Sequence, residues 1–138
     1  MSRRIVVTLG VLVLAAAGIA VALSYFNARD AATVQRSDGP GSARAAGARP
    51  AVAAGNVVLL FSEERQTAAL RELAMQIGGQ ATPALVSAGQ AVIVRRQPRL
   101  RVPVVALSSD RRLDADGVDD PRLRAFVEYW LGREAQSR

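Results

Sequence analysis

Four arginines, Arg95, Arg96, Arg99 and Arg101, crowd the stretch RRQPRLR and form the densest basic run of the chain. Guanidinium groups so placed could hold an anionic lipid, a cell-wall polymer or an acidic protein partner. Nucleic acid is not expected, because no aromatic residues interleave to stack on bases. The plainer reading is a charged strand edge that discourages edge-to-edge pairing. A second cluster, Asp110, Asp114, Asp116, Asp119 and Asp120 in SSDRRLDADGVDD, has oxygen ligands of the kind calcium takes. Aligning Gly117 with the invariant glycine of a calcium loop puts Arg112 at its first position and Leu123 at its last, and both are wrong. A solvated acidic loop with a helix cap fits better. Glu63 and Glu64 are adjacent and do not face each other on a helix, so they make a poor catalytic pair. Tyr129 and Trp130 read as core and rim, and an exposed Trp130 would mark a docking surface.

The chain lacks cysteine, histidine and lysine, and all 18 basic residues are arginine. Thiol redox chemistry, Ser-His-Asp and Cys-His catalysis, histidine-bound zinc, Schiff-base lysine and the P-loop lysine are thereby excluded. Acid–base work would fall to Asp, Glu and Tyr. An enzyme is not the expectation, and no cofactor is called for. The net charge of +6 is no nucleic-acid signature, since from Asn56 onward 12 arginines meet 10 acids.

Several elements must position these groups. Val57-Val58-Leu59-Leu60-Phe61 is continuously apolar and predicts a strand covered on both faces. Ser62 is a candidate cap for a following helix, with Glu63 and Glu64 in its first turn. Leu70, Leu73, Ala74 and Ile77 give that helix one apolar stripe, and Gly78-Gly79 stops it. Ala84-Leu85-Val86 and Ala91-Val92-Ile93-Val94, separated by Ser87–Gln90, suggest a hairpin. Arg95–Arg101 then forms a solvated turn or strand edge. Val102–Leu107 reads as a second buried strand with Pro103 at its start or on an edge. Asp120-Pro121 opens a last helix, with Leu123, Phe126, Val127, Trp130 and Leu131 on one face and Gly132 at its end.

The Phe61-Ser62 passage, Ala69–Ala74 and Val102-Pro103-Val104-Val105 together resemble a reduced, cysteine-less thioredoxin-like domain. The nearest likeness is to the thioredoxin-like assembly proteins of conjugative pilus systems. The resemblance implies a central strand running into a helix, with Ser62–Arg65 where such folds carry their cysteines and Pro103 as the cis-proline beside them. Without cysteine it implies a binding or assembly module, not an oxidoreductase.

Upstream, Ile5–Phe26 runs 22 residues without a charge, long enough at about 1.5 Å per residue to cross a hydrocarbon core about 30 Å thick. Arg3 and Arg4 before it keep the N-terminus cytoplasmic under the positive-inside bias. The alternative is a signal cleaved near Ala20-Val21-Ala22, which would release a secreted domain. Asn27–Gly55 is nearly free of large apolar residues and is expected to be a flexible linker. The sequence thus predicts an α/β protein: a cytoplasmic start (1–4), a transmembrane helix and signal anchor (5–26), a linker (27–55) and a small strand–helix–strands–helix domain (56–138). The expected partners are the bilayer, through Ile5–Phe26, and another protein of a bacterial envelope assembly, with Arg95, Arg96, Arg99, Arg101 and Trp130 as candidate contacts. The alternatives are an exported small-ligand or metal-binding domain on the acidic loop and an anionic-polymer-binding domain on the arginine run.

Overall fold

The structure, a computed structural model, describes residues 47–109 and 111–133. Residues 1–4, the apolar stretch 5–26, most of the expected linker, Asp110 and residues 134–138 lie outside the described residues. Among the described residues no helix is long and apolar enough to cross a membrane. They form a mixed α/β fold built on a four-stranded sheet.

The order is α1 (Arg49–Ala53), β1 (Val57–Phe61), a 3-10 turn (Glu64–Gln66), α2 (Thr67–Gly78), α3 (Pro83–Ser87), β2 (Val92–Arg96), β3 (Val104–Leu107), β4 (Arg112–Ala115) and α4 (Pro121–Trp130). The strands lie side by side as β2-β1-β3-β4, with β1 parallel to β2 and every other pair antiparallel. All five residues of β1 are buried, as expected of a continuous apolar run inside a sheet. Alternation along the strand sends its side chains to two cores. Val57, Leu59 and Phe61 pack with Leu70, Leu73, Leu123, Phe126 and Val127 beneath α2 and α4. Val58 and Leu60 pack on the other side with Val105, Leu107, Ala48 and Val52. Each fully buried Leu, Val or Phe contributes about 1.5–3 kcal/mol through the water it sheds.

That second core corrects the linker boundary. Ala48 and Val52 are completely covered, so α1 closes the far face of the sheet and the folded unit begins before Asn56. One valine between alanines is too little for a composition argument to register, yet the sheet supplies the surface that buries it.

The expected hairpin is corrected too. Ala84-Leu85-Val86 is helical, because the Thr82 hydroxyl accepts from the Leu85 N–H at 3.3 Å and Pro83 occupies the first turn. β2 then pairs in parallel with β1, which requires the long crossover through α2 that a hairpin lacks. Ser62 does not cap α2. The chain stays extended through Glu63 and enters the 3-10 turn, and no side chain caps the helix start at Gln66. Arg112–Ala115, placed in the acidic loop by its charges, is a strand whose Leu113 and Ala115 are buried and whose Arg112 and Asp114 are half-buried. Pro103 directly precedes β3 as expected, but none of the described peptide bonds is cis, so it is not a cis-proline. The last helix starts where Asp120-Pro121 predicts, with the Asp120 carboxylate accepting from the Arg122 N–H at 3.0 Å.

Candidate functional site

The strand register gathers three loops at one end of the sheet. Phe61 pairs with Arg96 on one side and with Val104 on the other, and Val104 also pairs with Ala115. Residues 62–66, 97–103 and 116–120 therefore leave the sheet together. The same register makes Ser62 and Pro103 the next residues outward on adjacent strands.

The loop 97–103 is fastened at several points. The Gln97 N–H donates to the Phe61 carbonyl at 2.7 Å and extends the pairing past β2, and the Leu100 N–H closes a turn on the Gln97 carbonyl at 3.3 Å. Leu100 and Val102 pack against the second core. Arg99 and Arg101, which alternate with them, are exposed, and neither enters an ion pair among the described residues. Two guanidinium groups are thus held outward by the burial of their neighbours.

The other two arginines of the run part company. Arg96 lies 3.7 Å from the Glu64 carboxylate, both well exposed, in a solvated pair worth about 0–1 kcal/mol. Arg95 alternates to the opposite face of β2, where it donates to the Gly47 carbonyl at 3.4 Å. The run RRQPRLR is therefore not one patch. Arg96, Arg99 and Arg101 share the sheet end, and Arg95 belongs with α1.

Glu63 pairs with Arg65 and Glu64 with Arg96, while Glu64 also opens the 3-10 turn that leads into α2. The two glutamate carboxylates turn to different arginines in solvent and do not form a pair. In the acidic segment, Asp114 binds Arg112 at 2.6 Å and Asp120 binds Arg122 at 2.6 Å. Partial burial would raise the Asp120 pKa, but the bonds from the Arg122 guanidinium and N–H and from the Asp116 N–H outweigh it and hold the carboxyl below its ordinary value. That carboxylate raises the Arg122 pKa in turn, against the opposing effect of burial. Among the described residues no group of three metal-ligating side chains comes together.

Trp130 lies at the opposite end of the sheet, where the Gly132 N–H donates to the Gly55 carbonyl at 3.0 Å just before β1 begins. It is half-buried against the first core, 6.4 Å from the Phe126 ring, with the Arg111 guanidinium 5.4 Å above its own. Trp130 and the arginine loop cannot serve one contact surface. Sequence reasoning missed the anchoring role of Leu100 and Val102, although the period-two pattern of Arg99-Leu100-Arg101-Val102 carries it. No protein-family model, curated protein or solved structure matches the chain.

Proposed function

We propose that the protein is a membrane-anchored, non-enzymatic binding module of a bacterial envelope assembly, such as a secretion, conjugation or division apparatus. In this reading Ile5–Phe26 spans the inner membrane, the N-terminus is cytoplasmic and the α/β domain stands outside. The observation that carries it is the outward display of Arg99 and Arg101 from a loop that Leu100 and Val102 fasten to the sheet. A preorganised display loses less entropy on binding than a floppy one. Anchoring adds effective concentration toward other proteins of the same membrane. The partner surface is acidic, and its contact weakens as salt rises.

The thioredoxin-like reading is part of the proposal. It is supported by the interior position of β1, its continuation into the helical segment 64–78 and the adjacency of Ser62 and Pro103. With no cysteine in the chain, that sheet end serves contact instead of thiol exchange.

The test is site-specific photocrosslinking in cells, with the photoreactive residue at position 99 or, as a control, at exposed Ala53. Capture of one envelope protein from position 99 alone, abolished by Arg101→Glu, supports the proposal. Equal capture from both sites, or none from either, overturns it.

A further inference from the structure

We infer that the cleft between α2 and the start of α4 is a second binding site, built for a basic and aliphatic peptide segment of a partner protein. The cleft has a volume of about 400 Å³ and shares no residue with the arginine loop. Ala69, Leu73, Val118 and Pro121 give it an apolar lining, and Glu72 and Asp119 stand exposed at its mouth. Its size falls in the range of sites that hold a few side chains.

Glu72 and Asp119 have no direct ion-pair partner among the described residues. Asp120 is already matched by Arg122 at 2.6 Å. Arg124, which also lines the cleft, is engaged by Glu128 at 3.3 Å and by the Gln76 side-chain oxygen at 2.5 Å. Glu72 accepts only from the neutral Gln76 amide, at 3.3 Å, and Asp119 enters no ion pair among the described residues. Two carboxylates beside an apolar hollow suit a side chain with a hydrocarbon stem and a cationic head, which is arginine or lysine. A neighbouring aliphatic residue on the same segment would fill the hollow. An anionic ligand would meet two like charges, and a purely polar cation would leave the lining wet. A basic, aliphatic segment is therefore the occupant that satisfies both features.

Binding is measured with the full chain in an uncharged detergent and a fluorescein-labelled peptide of alternating arginine and leucine, read by fluorescence anisotropy. Saturable binding is expected. The combined substitutions Glu72→Gln and Asp119→Asn should weaken it about tenfold, because two solvated ion pairs are lost. Ala69→Phe should weaken it at least as much by filling the hollow. Arginine–serine and glutamate–leucine peptides should bind more weakly than arginine–leucine, and Arg99→Ala with Arg101→Ala should leave the affinity unchanged. Both cleft substitutions lie at exposed carboxylates, so an unaltered Trp130 emission spectrum verifies that the fold is kept. Equal affinity before and after those substitutions, or equal affinity for the arginine–serine peptide, overturns the inference. So does peptide-free self-association that Glu72→Gln with Asp119→Asn abolishes, because the occupant is then a second copy of the chain. Loss of binding in the Arg99→Ala, Arg101→Ala variant also overturns it and assigns the peptide to the loop, so this site and the arginine loop can fail independently.

Discussion

The side-chain amide of Asn56 donates to the backbone carbonyl of Val86 at 2.8 Å and so ties the start of β1 to α3. The same amide donates to the Ala51 carbonyl at 3.0 Å, and the Asn56 side-chain oxygen accepts from the Ala91 N–H at 2.9 Å. One buried side chain therefore joins α1, α3 and the approach to β2 using both its donors and its acceptor. Buried polar groups stabilise only when matched in this way.

Asn56→Leu removes all three bonds and strands the backbone groups that faced them. A loss of about 3 kcal/mol or more is expected at roughly 1–3 kcal/mol per unsatisfied buried group. Urea denaturation of the full chain, followed by the emission of its single tryptophan, Trp130, measures it. A loss below 1 kcal/mol would show that water replaces the missing partners.

Two glycines with nearly the same φ should respond differently to alanine. Gly79, at φ 69° and ψ −168°, faces open space but sits in backbone space that is essentially reserved for glycine, so Gly79→Ala carries only that backbone penalty of about 1–3 kcal/mol. Gly89 at φ 70° would place a Cβ 1.7 Å from the Ala54 carbonyl oxygen, a clash that only backbone movement relieves. Gly89→Ala is expected to cost well beyond the Gly79 change, and the two denaturation midpoints compare them directly.

Asp120→Ala removes the cap of α4 together with the Arg122 pair, and a loss of about 1–2 kcal/mol is expected. The folded state holds the Asp120 pKa below its ordinary value. Its stabilisation is therefore complete above the ordinary carboxylate pKa of about 3.9 and is lost as pH falls through the lower folded value. Asp120→Asn can still cap but carries no charge to lose. Its stability, relative to the unchanged protein, should converge as the pH drops below 4. A gap that stays constant across that range would remove the charge from the explanation.

Leu100→Ser tests whether the arginine loop is held by burial. The substitution should cost about 1–3 kcal/mol, because an apolar contact with the second core is lost. Crosslinking from position 99 should fall although Arg96 and Arg101 remain. Undiminished capture would mean that the loop binds without being held.

The proposed site was only partly legible in the sequence. Arg99 and Arg101 are conspicuous as charges, but their outward display depends on Leu100 and Val102 finding the core formed by Val58, Leu60, Val105 and Leu107. The separation of Arg95 from Arg96 needs the knowledge that β2 continues through both, so that alternation turns one to each face. Glu64 as the counter-charge of Arg96 is invisible from 32 positions away, because only the parallel pairing of β1 with β2 brings Phe61 opposite Arg96.

What the sequence alone determined is local. The apolar run Val57–Phe61 dictated a strand buried on both faces, Asp120-Pro121 set the start of α4, and Leu123, Phe126 and Val127 marked the face that it buries. Those signals lie within one turn or one strand, where spacing and propensity suffice. The absence of cysteine, histidine and lysine likewise closed whole classes of chemistry without any fold. Tertiary structure decided the rest. It made Val92–Arg96 a parallel partner of β1 instead of a hairpin arm, turned Arg112–Ala115 into a strand, and folded Arg49–Ala53 onto the sheet. Each of these short segments carries too few apolar residues to specify itself. Its conformation follows from the surface offered by residues remote in the chain, and burial against that surface supplies the free energy that periodicity could not reveal.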